Sequence, residues 1–385
     1  MATKKTKNSA SSNPFAFADK FDEELENMEG VGTSSSPPRY WYSTGNYVLN
    51  RIISGSYYHG IPQGRITDLA GGSGTGKSFI SANLVAEAQR NGAYCLVIDS
   101  ENALDDDFMG KIGVDTENNY KYVDVTTIPQ VTKIVSSFLK KYKAAYGEDD
   151  LDAPQVLILI DSLDMLITET ELDHFEKGNT KGDQGQKNKQ LKAMLRTFVQ
   201  AIKHLNVAIV CTSQVYRNQD LTNGEGMFIV AEAVRYACSQ IVMIAKKKLR
   251  DKSTAGPGES GEITGVKMVC EGYKTRFTKP FQKVEIEVPY ETGMDPLSGL
   301  LQVAKQVGVL QQGGAWYTIA GTETKFQSKD LADHVDTILE RLEAQTAFLA
   351  ADAEADMSAE LETHADTKAR RKAKVSDPNY VTEEA

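Results

Sequence analysis

The sequence predicts an α/β fold built on a doubly wound, mostly parallel sheet. Three observations predict it. Strand-like runs alternate with helical patterns along most of the chain. One run, Val156-Leu157-Ile158-Leu159-Ile160, is continuously apolar, which suits a strand covered on both faces. Residues 65–78 pass from a strand-like run through a glycine-rich turn into a helical pattern.

The 385 residues suffice for one large core with appendages, and 41% hydrophobic with 25% charged residues is ordinary for a globular chain. No apolar run reaches membrane-spanning length, and the first residues lack a signal-peptide stretch, so a cytoplasmic protein with no membrane partner is expected. Cys95, Cys211, Cys238 and Cys270 show no C-x-x-C pairing and read as buried, reduced thiols. The net charge of −10 argues against a nucleic-acid partner only at first sight. Residues 329–385 hold 14 acidic and 7 basic side chains, a net of −7, so the rest of the chain is nearly balanced.

In chain order, residues 1–13 read as disordered, and 14–29 as an amphipathic helix, with Asn13 and Pro14 suited to its start. A Ser- and Pro-rich linker follows over 32–38. Strands are expected at 65–69, 93–98, 120–125, 156–161, 206–212, 240–245, 263–270 and 281–288. Helices are expected at 77–91, 105–112, 129–146 and 190–205. Residues 171–190 and 216–227 are polar and unpatterned, and read as two long loops, a length that in a compact core is usually functional or disordered. The expected organisation is residues 1–38 as helix and linker, 39–320 as the core, and 321–385 as a small helical segment with a charged tail. That tail contains a basic patch at 368–374.

The turn carries the chemistry. Gly71-Gly72-Ser73-Gly74-Thr75-Gly76-Lys77-Ser78 fits G-x-x-x-x-G-K-[ST]. Glycines let backbone N–H groups wrap phosphates, and the following helix adds its positive N-terminus. Lys77 is placed to reach the β- and γ-phosphates, Ser78 to hold Mg²⁺, and Phe79 follows them into the helix. Asp161 closes the apolar run at 156–160 and suits the Mg²⁺ shell. Glu101 follows the strand expected next to the glycine-loop strand and is placed to act as a general base. A nucleoside triphosphate with Mg²⁺ is the expected ligand pair.

Several stretches, in order and spacing, resemble the RecA recombinases: Gly60-Ile61-Pro62-Gln63-Gly64-Arg65-Ile66, the glycine loop, Ile98-Asp99-Ser100-Glu101-Asn102-Ala103-Leu104-Asp105, Ile160-Asp161-Ser162, Ser213-Gln214, Lys274-Thr275-Arg276 and Gly314-Ala315-Trp316-Tyr317. The resemblance spans about residues 40–320, and the stretch at 295–301 looks most like the bacteriophage UvsX branch, which would place the protein in a host-cell cytoplasm. It implies a RecA-type P-loop ATPase core. Asp105 and Phe108 match adenine-contacting positions. Gln214 matches the glutamine that senses the γ-phosphate, and Lys274 and Arg276 match cations that reach a neighbouring subunit's ATP. Lys189, Lys192 and Arg196 share one helix face, and with Arg217 and Phe228 they match the DNA-facing region. One departure stands out: Phe228-Ile229-Val230-Ala231-Glu232 replaces the family's usual glycine pair.

The function so implied is an ATP-dependent homologous recombinase. It would form helical filaments on single-stranded DNA, pair them with homologous duplex DNA and exchange strands, with single-strand-binding and mediator proteins as accessory partners. A ring-shaped replicative helicase and a nucleotide-gated regulatory module are the alternatives.

Overall fold

The computed structural model describes residues 16–28, 37–179, 185–218, 228–251 and 261–345. Residues 1–39 and 40–385 form two units. The first contains helix α1, Ala16–Glu26, on which Phe17 and Phe21 are exposed. The Asn13-Pro14 start expected for it lies outside the described residues.

The second unit opens with β1 (Trp41–Tyr42), α2 (Tyr47–Ser54) and β2 (Ile61–Pro62). It continues through β3 (Ile66–Gly71), α3 (Lys77–Arg90), β4 (Tyr94–Asp99), α4 (Asp106–Ile112), β5 (Tyr120–Asp124), α5 (Ile128–Tyr146) and β6 (Val156–Asp161). Then come α6 (Glu169–Glu176), α7 (Gln186–Ile202), β7 (Val207–Ser213), β8 (Tyr216–Arg217), β9 (Phe228–Ile229), α8 (Glu232–Ala237), β10 (Gln240–Asp251), β11 (Glu262–Lys274) and β12 (Lys283–Pro289). Helix α9 (Leu300–Gln306) leads to a small sheet of β13 (Leu310–Gly313), β14 (Trp316–Ile319) and β15 (Lys325–Gln327). A 3₁₀ turn at Ser328–His334 and a helical stretch at 335–345 close the described chain.

The main sheet has eight strands in the order β12-β11-β10-β3-β7-β6-β4-β5, so β4, which precedes Glu101, is separated from the glycine-loop strand β3 by β7 and β6 rather than lying next to it as expected. The strands from β10 to β5 are mutually parallel, and β11 and β12 add an antiparallel edge. The two-residue period of a strand explains why both faces must be covered. Along β6, Leu157 and Leu159 enter one apolar cluster, while Val156, Ile158 and Ile160 enter the other. β7 divides the same way, with Ala208 and Val210 opposed to Val207, Ile209 and Cys211. α3 packs in the first cluster, α5 and α7 in the second. Ile338, Leu339 and Leu342 also belong to the first cluster. All four cysteines are buried and free, and burial pushes the Cys95 and Cys270 thiols up to about 12.

The segment expected to be loop from 171 to 190 departs most from the sequence reading. Its first part is helical: Thr168 caps α6 by accepting from the Glu171 N–H, and the Glu171 carboxylate accepts from the Thr168 N–H. This reciprocal capping box stabilises a helix with no fully buried residue, so periodicity carried no signal. Helix α7 likewise starts at Gln186, ahead of the expected 190, and ends at Ile202 rather than 205. The second polar segment opens as a ribbon rather than a loop, with Arg217 opposite Phe228. Strand β10 runs six residues beyond the expected 245, because β11 pairs with it along its length.

Candidate active site

Sheet register brings the sequence-predicted acids to the end of the sheet that carries the glycine loop. Asp99 pairs with Asp161 across β4 and β6, Ala70 with Ser213 across β3 and β7, and Gly71 with Ile244 across β3 and β10. Strand ends of a parallel sheet at a change of strand order form a ligand crevice.

The loop between β3 and α3 is tightly packed. A Cβ on Gly71 would lie 2.5 Å from Thr75 Oγ1 and 2.6 Å from the Ile244 carbonyl. Gly76 caps α3 with φ of 99°, and a Cβ there would meet Met268 Sδ at 2.6 Å. Glycine is required at both positions: by space at Gly71, by space and backbone conformation at Gly76. Thr75 Oγ1 donates to the Gly72 carbonyl at 3.0 Å and braces the turn. The Lys77 ammonium donates to the carbonyls of Gly71 (2.9 Å) and Gly72 (3.1 Å), so it folds back over the loop. Gly72, Ser73 and Gly74 leave the loop's outer backbone accessible, and Ser78 and Phe79 are half-buried on the first turn of α3.

The residues present fit a divalent cation. Asp161 is buried; its Oδ1 accepts from the Thr212 hydroxyl, and its Oδ2 has no hydrogen-bond partner. Burial raises its pKa, Thr212 and Ser78 lower it, and Glu101 and Asp99 raise it. A carboxylate with one unsatisfied oxygen beside a helix-borne hydroxyl is the donor set that hard cations take.

Glu101 is exposed beside this pair, and the Ser162 hydroxyl donates to its Oε1 at 2.6 Å. Its loop is organised by Asp99, a residue the sequence reading passed over as a strand-end acid. Asp99 Oδ1 accepts from the N–H groups of Glu101 (2.8 Å) and Asn102 (3.0 Å). Oδ2 accepts from those of Ala103 and Leu104, each at 2.9 Å, and from the Tyr122 phenol at 3.2 Å. Asp105 caps α4 by accepting from the Phe108 N–H at 2.8 Å, and Phe108 packs partly against the first core cluster. Their order along the chain could suggest Asp99 as the anchor only to a reader who already knew the loop's path.

Lys274 and Arg276 lie elsewhere. Lys274 pairs with Ile241 near the start of β10, at the sheet end opposite Gly71. Its ammonium donates to the Arg235 carbonyl, and burial, with Arg276 adding, lowers its pKa. Arg276 lines a cavity of about 480 Å³ together with Arg65, Lys192, Arg196, Lys203 and Tyr236. The structure thus brings Lys192 and Arg196, on α7, to the same basic recess as Arg276. Lys192 is ion-paired with Glu232 at 3.0 Å and stands 5.1 Å from the centre of the Tyr236 ring. Lys189 lines a neighbouring hollow with Tyr216 and Glu232. Arg217 and Phe228 are exposed on the β8–β9 ribbon. Gln214, half-buried, follows β7 directly, and its N–H donates to Asp164 Oδ2 at 2.6 Å.

Comparison with known proteins agrees with this geometry. The family model described as the RecA N-terminal domain matches residues 31–295. The chain is 27% identical over 306 residues to Protein RecA of Aquifex aeolicus (strain VF5), covering 76% of each chain. It is 26% identical over 300 residues to Protein RecA of Aquifex pyrophilus, covering 74% of this chain and 76% of that one. Protein RecA of Pseudomonas putida is 24% identical over 286 residues, covering 73% and 72%. With a glycine loop, strand-end acids and sheet order in one arrangement, and a family model matched over more than half its length, this chain belongs to the RecA family.

Proposed function

We propose that the protein is an ATP-dependent homologous recombinase that assembles head-to-tail on single-stranded DNA and exchanges strands with a homologous duplex. One observation carries the assembly: Lys77 follows the glycine-loop end of β3, whereas Lys274 pairs near the start of β10 and Arg276 lines the recess with Gly64 and Arg65, which precede β3. Cations so placed are remote from their own subunit's nucleotide but suit the nucleotide of a neighbour. A contact between two different surfaces that does not close generates a helix.

In this reading the backbone N–H groups of 71–76 and Lys77 bind the phosphates, and Asp105 and Phe108 border the base. Ser78 and Asp161 hold Mg²⁺, which neutralises phosphate charge. Glu101, oriented by Ser162 and by the Asp99-anchored loop, accepts the proton of the attacking water. The neighbour's Lys274 and Arg276 stabilise the charge that develops on the transferred group. Gln214 senses the γ-phosphate. Lys189, Lys192, Arg196 and Arg217 contact DNA phosphates, which gives salt-dependent and sequence-tolerant affinity, and Phe228 enters between bases. Base pairing reads the sequence. The stretch at 295–301 supports the UvsX-like branch.

The test is ATP hydrolysis with and without single-stranded DNA, on wild type and Glu101→Gln, combined with electron microscopy in ATP and DNA. DNA-stimulated turnover in the wild type alone, with extended filaments, is expected. Discrete rings, or equal turnover in both proteins, would refute the reading.

A further inference from the structure

Asp164 lies three residues beyond Asp161, just past the end of β6, and is half-buried. Three donors converge on it from two other segments. The Gln214 N–H donates to Oδ2 at 2.6 Å, and the Tyr216 phenol donates to Oδ1. The Lys187 ammonium donates to the Asp164 backbone carbonyl at 2.5 Å. Gln214 follows β7, Tyr216 begins β8, and Lys187 is the second residue of α7. One residue therefore anchors the sensing glutamine's backbone, the ribbon that bears Arg217 and Phe228, and the start of the helix that bears Lys189, Lys192 and Arg196.

A second anchor holds the same segment one residue earlier. The Ser213 hydroxyl donates to Asp68 Oδ2 at 2.7 Å, and Asp68 belongs to β3, which leads into the glycine loop. Ser213 is thus tied to the nucleotide-loop strand, and Gln214 and Tyr216 to Asp164. Burial, together with the Asp164 hydrogen bond and charge, pushes the Tyr216 phenol up, so it remains a donor. Hydrogen bonds to an ionised carboxylate are roughly twice as strong as neutral ones. Because both Asp164 oxygens are engaged, a shift of the Gln214 backbone must either drag Tyr216 with it or break one of the two bonds.

We propose that Asp164 is a positioning residue that transmits nucleotide state from Gln214 to both DNA-facing segments. It rests on the reading of this chain as a nucleotide-gated DNA-binding ATPase. Coupling between sites requires an element with discrete arrangements that both sites bias. The carboxylate clasp is that element: closed on Gln214 and Tyr216 together, or released from one of them. Lys187 extends the same movement to α7 through the backbone of Asp164.

The test measures the affinity of the full-length protein for fluorescent oligo-dT by anisotropy, once with Mg²⁺ and a slowly hydrolysed ATP analogue and once with ADP. The ratio of the two affinities is the readout. Asp164→Asn puts an amide nitrogen against a donor, and Tyr216→Phe deletes one donor with little change of shape. Each should reduce the wild-type ratio by about tenfold, within the usual range of allosteric coupling. A merely structural role lowers the competent fraction and moves both affinities together, so an intact ratio in both variants overturns the inference. A wild-type ratio of one instead removes the nucleotide-gated reading itself, and the clasp's role falls with it.

Discussion

The Ser162 hydroxyl donates to Glu101 Oε1 at 2.6 Å, tying the residue after the cation-site aspartate to the expected general base. Ser162 is fully buried and Glu101 exposed, so the bond fixes a carboxylate that is otherwise free to rotate. Ser162→Ala should lower the DNA-stimulated turnover rate by about tenfold or more, the worth of a hydrogen bond to a charged group. The KM for ATP should move far less. A steady-state titration of ATP at saturating DNA checks the split, and a change confined to KM would contradict the positioning role.

Gly71 and Gly110 make a contrasting pair. At Gly71 an added methyl would meet Thr75 Oγ1 and the Ile244 carbonyl, whereas at Gly110, inside α4, it meets nothing within 4 Å. Gly71→Ala should therefore abolish measurable binding of a fluorescent ATP analogue. Gly110→Ala should stabilise the protein by about 0.5–1 kcal/mol in chemical denaturation, the helix-interior difference between the two residues. Normal nucleotide binding by Gly71→Ala would show that the loop can repack.

Asp68 is fully buried on β3, and its Oδ1 has no hydrogen-bond partner. Its pKa is raised from 3.8 to about 7: burial drives the rise, the Ser213 hydrogen bond opposes it, Asp164 adds to it and Lys77 opposes it. The native state thus holds this proton more tightly than the unfolded chain. The stability so contributed is complete below pH 3.8 and lost as the pH rises through about 7. The loss approaches about 4 kcal/mol at 1.36 kcal/mol per pH unit. Asp68→Asn keeps an acceptor for Ser213 and cannot ionise. It should be more stable than wild type at pH 8, with the advantage clearly smaller at pH 5 and gone only below pH 3.8, as denaturant titrations across that range will show. An advantage of the same size at pH 8 and pH 5 would assign the effect to packing.

Lys274→Ala and Lys77→Ala subunits should each hydrolyse ATP poorly alone. Mixed under filament-forming conditions, they should recover part of the activity, because an intact Lys77 site can then meet an intact Lys274 from its neighbour. Mixtures that never exceed the sum of the separate rates would place Lys274 outside the nucleotide site.

Much was legible in the sequence because the underlying signals are local. The glycine spacing at 71–78, the continuous apolar run at 156–160 and the 3.6-residue period of α3 and α5 reflect backbone geometry and two-sided burial, which each segment encodes for itself. Helix α6 gave no periodic signal, since it buries no side chain fully, and the Thr168–Glu171 capping box was the one local mark of its start. The strand extension of β10 was not legible, because Lys246 to Arg250 look solvent-facing until β11 pairs alongside.

By itself, the sequence determined the α/β class and the glycine loop, and singled out Glu101 and Asp161 at strand ends. Only the tertiary structure decided which side chains meet. Ser162 reaches Glu101, Thr212 reaches Asp161, and Asp164 gathers Gln214, Tyr216 and Lys187. The tertiary structure also put Lys274 at the far end of the sheet from Lys77. The physical reason is that strand order and register bring together residues tens of positions apart, and no local periodicity records which strand will lie beside which.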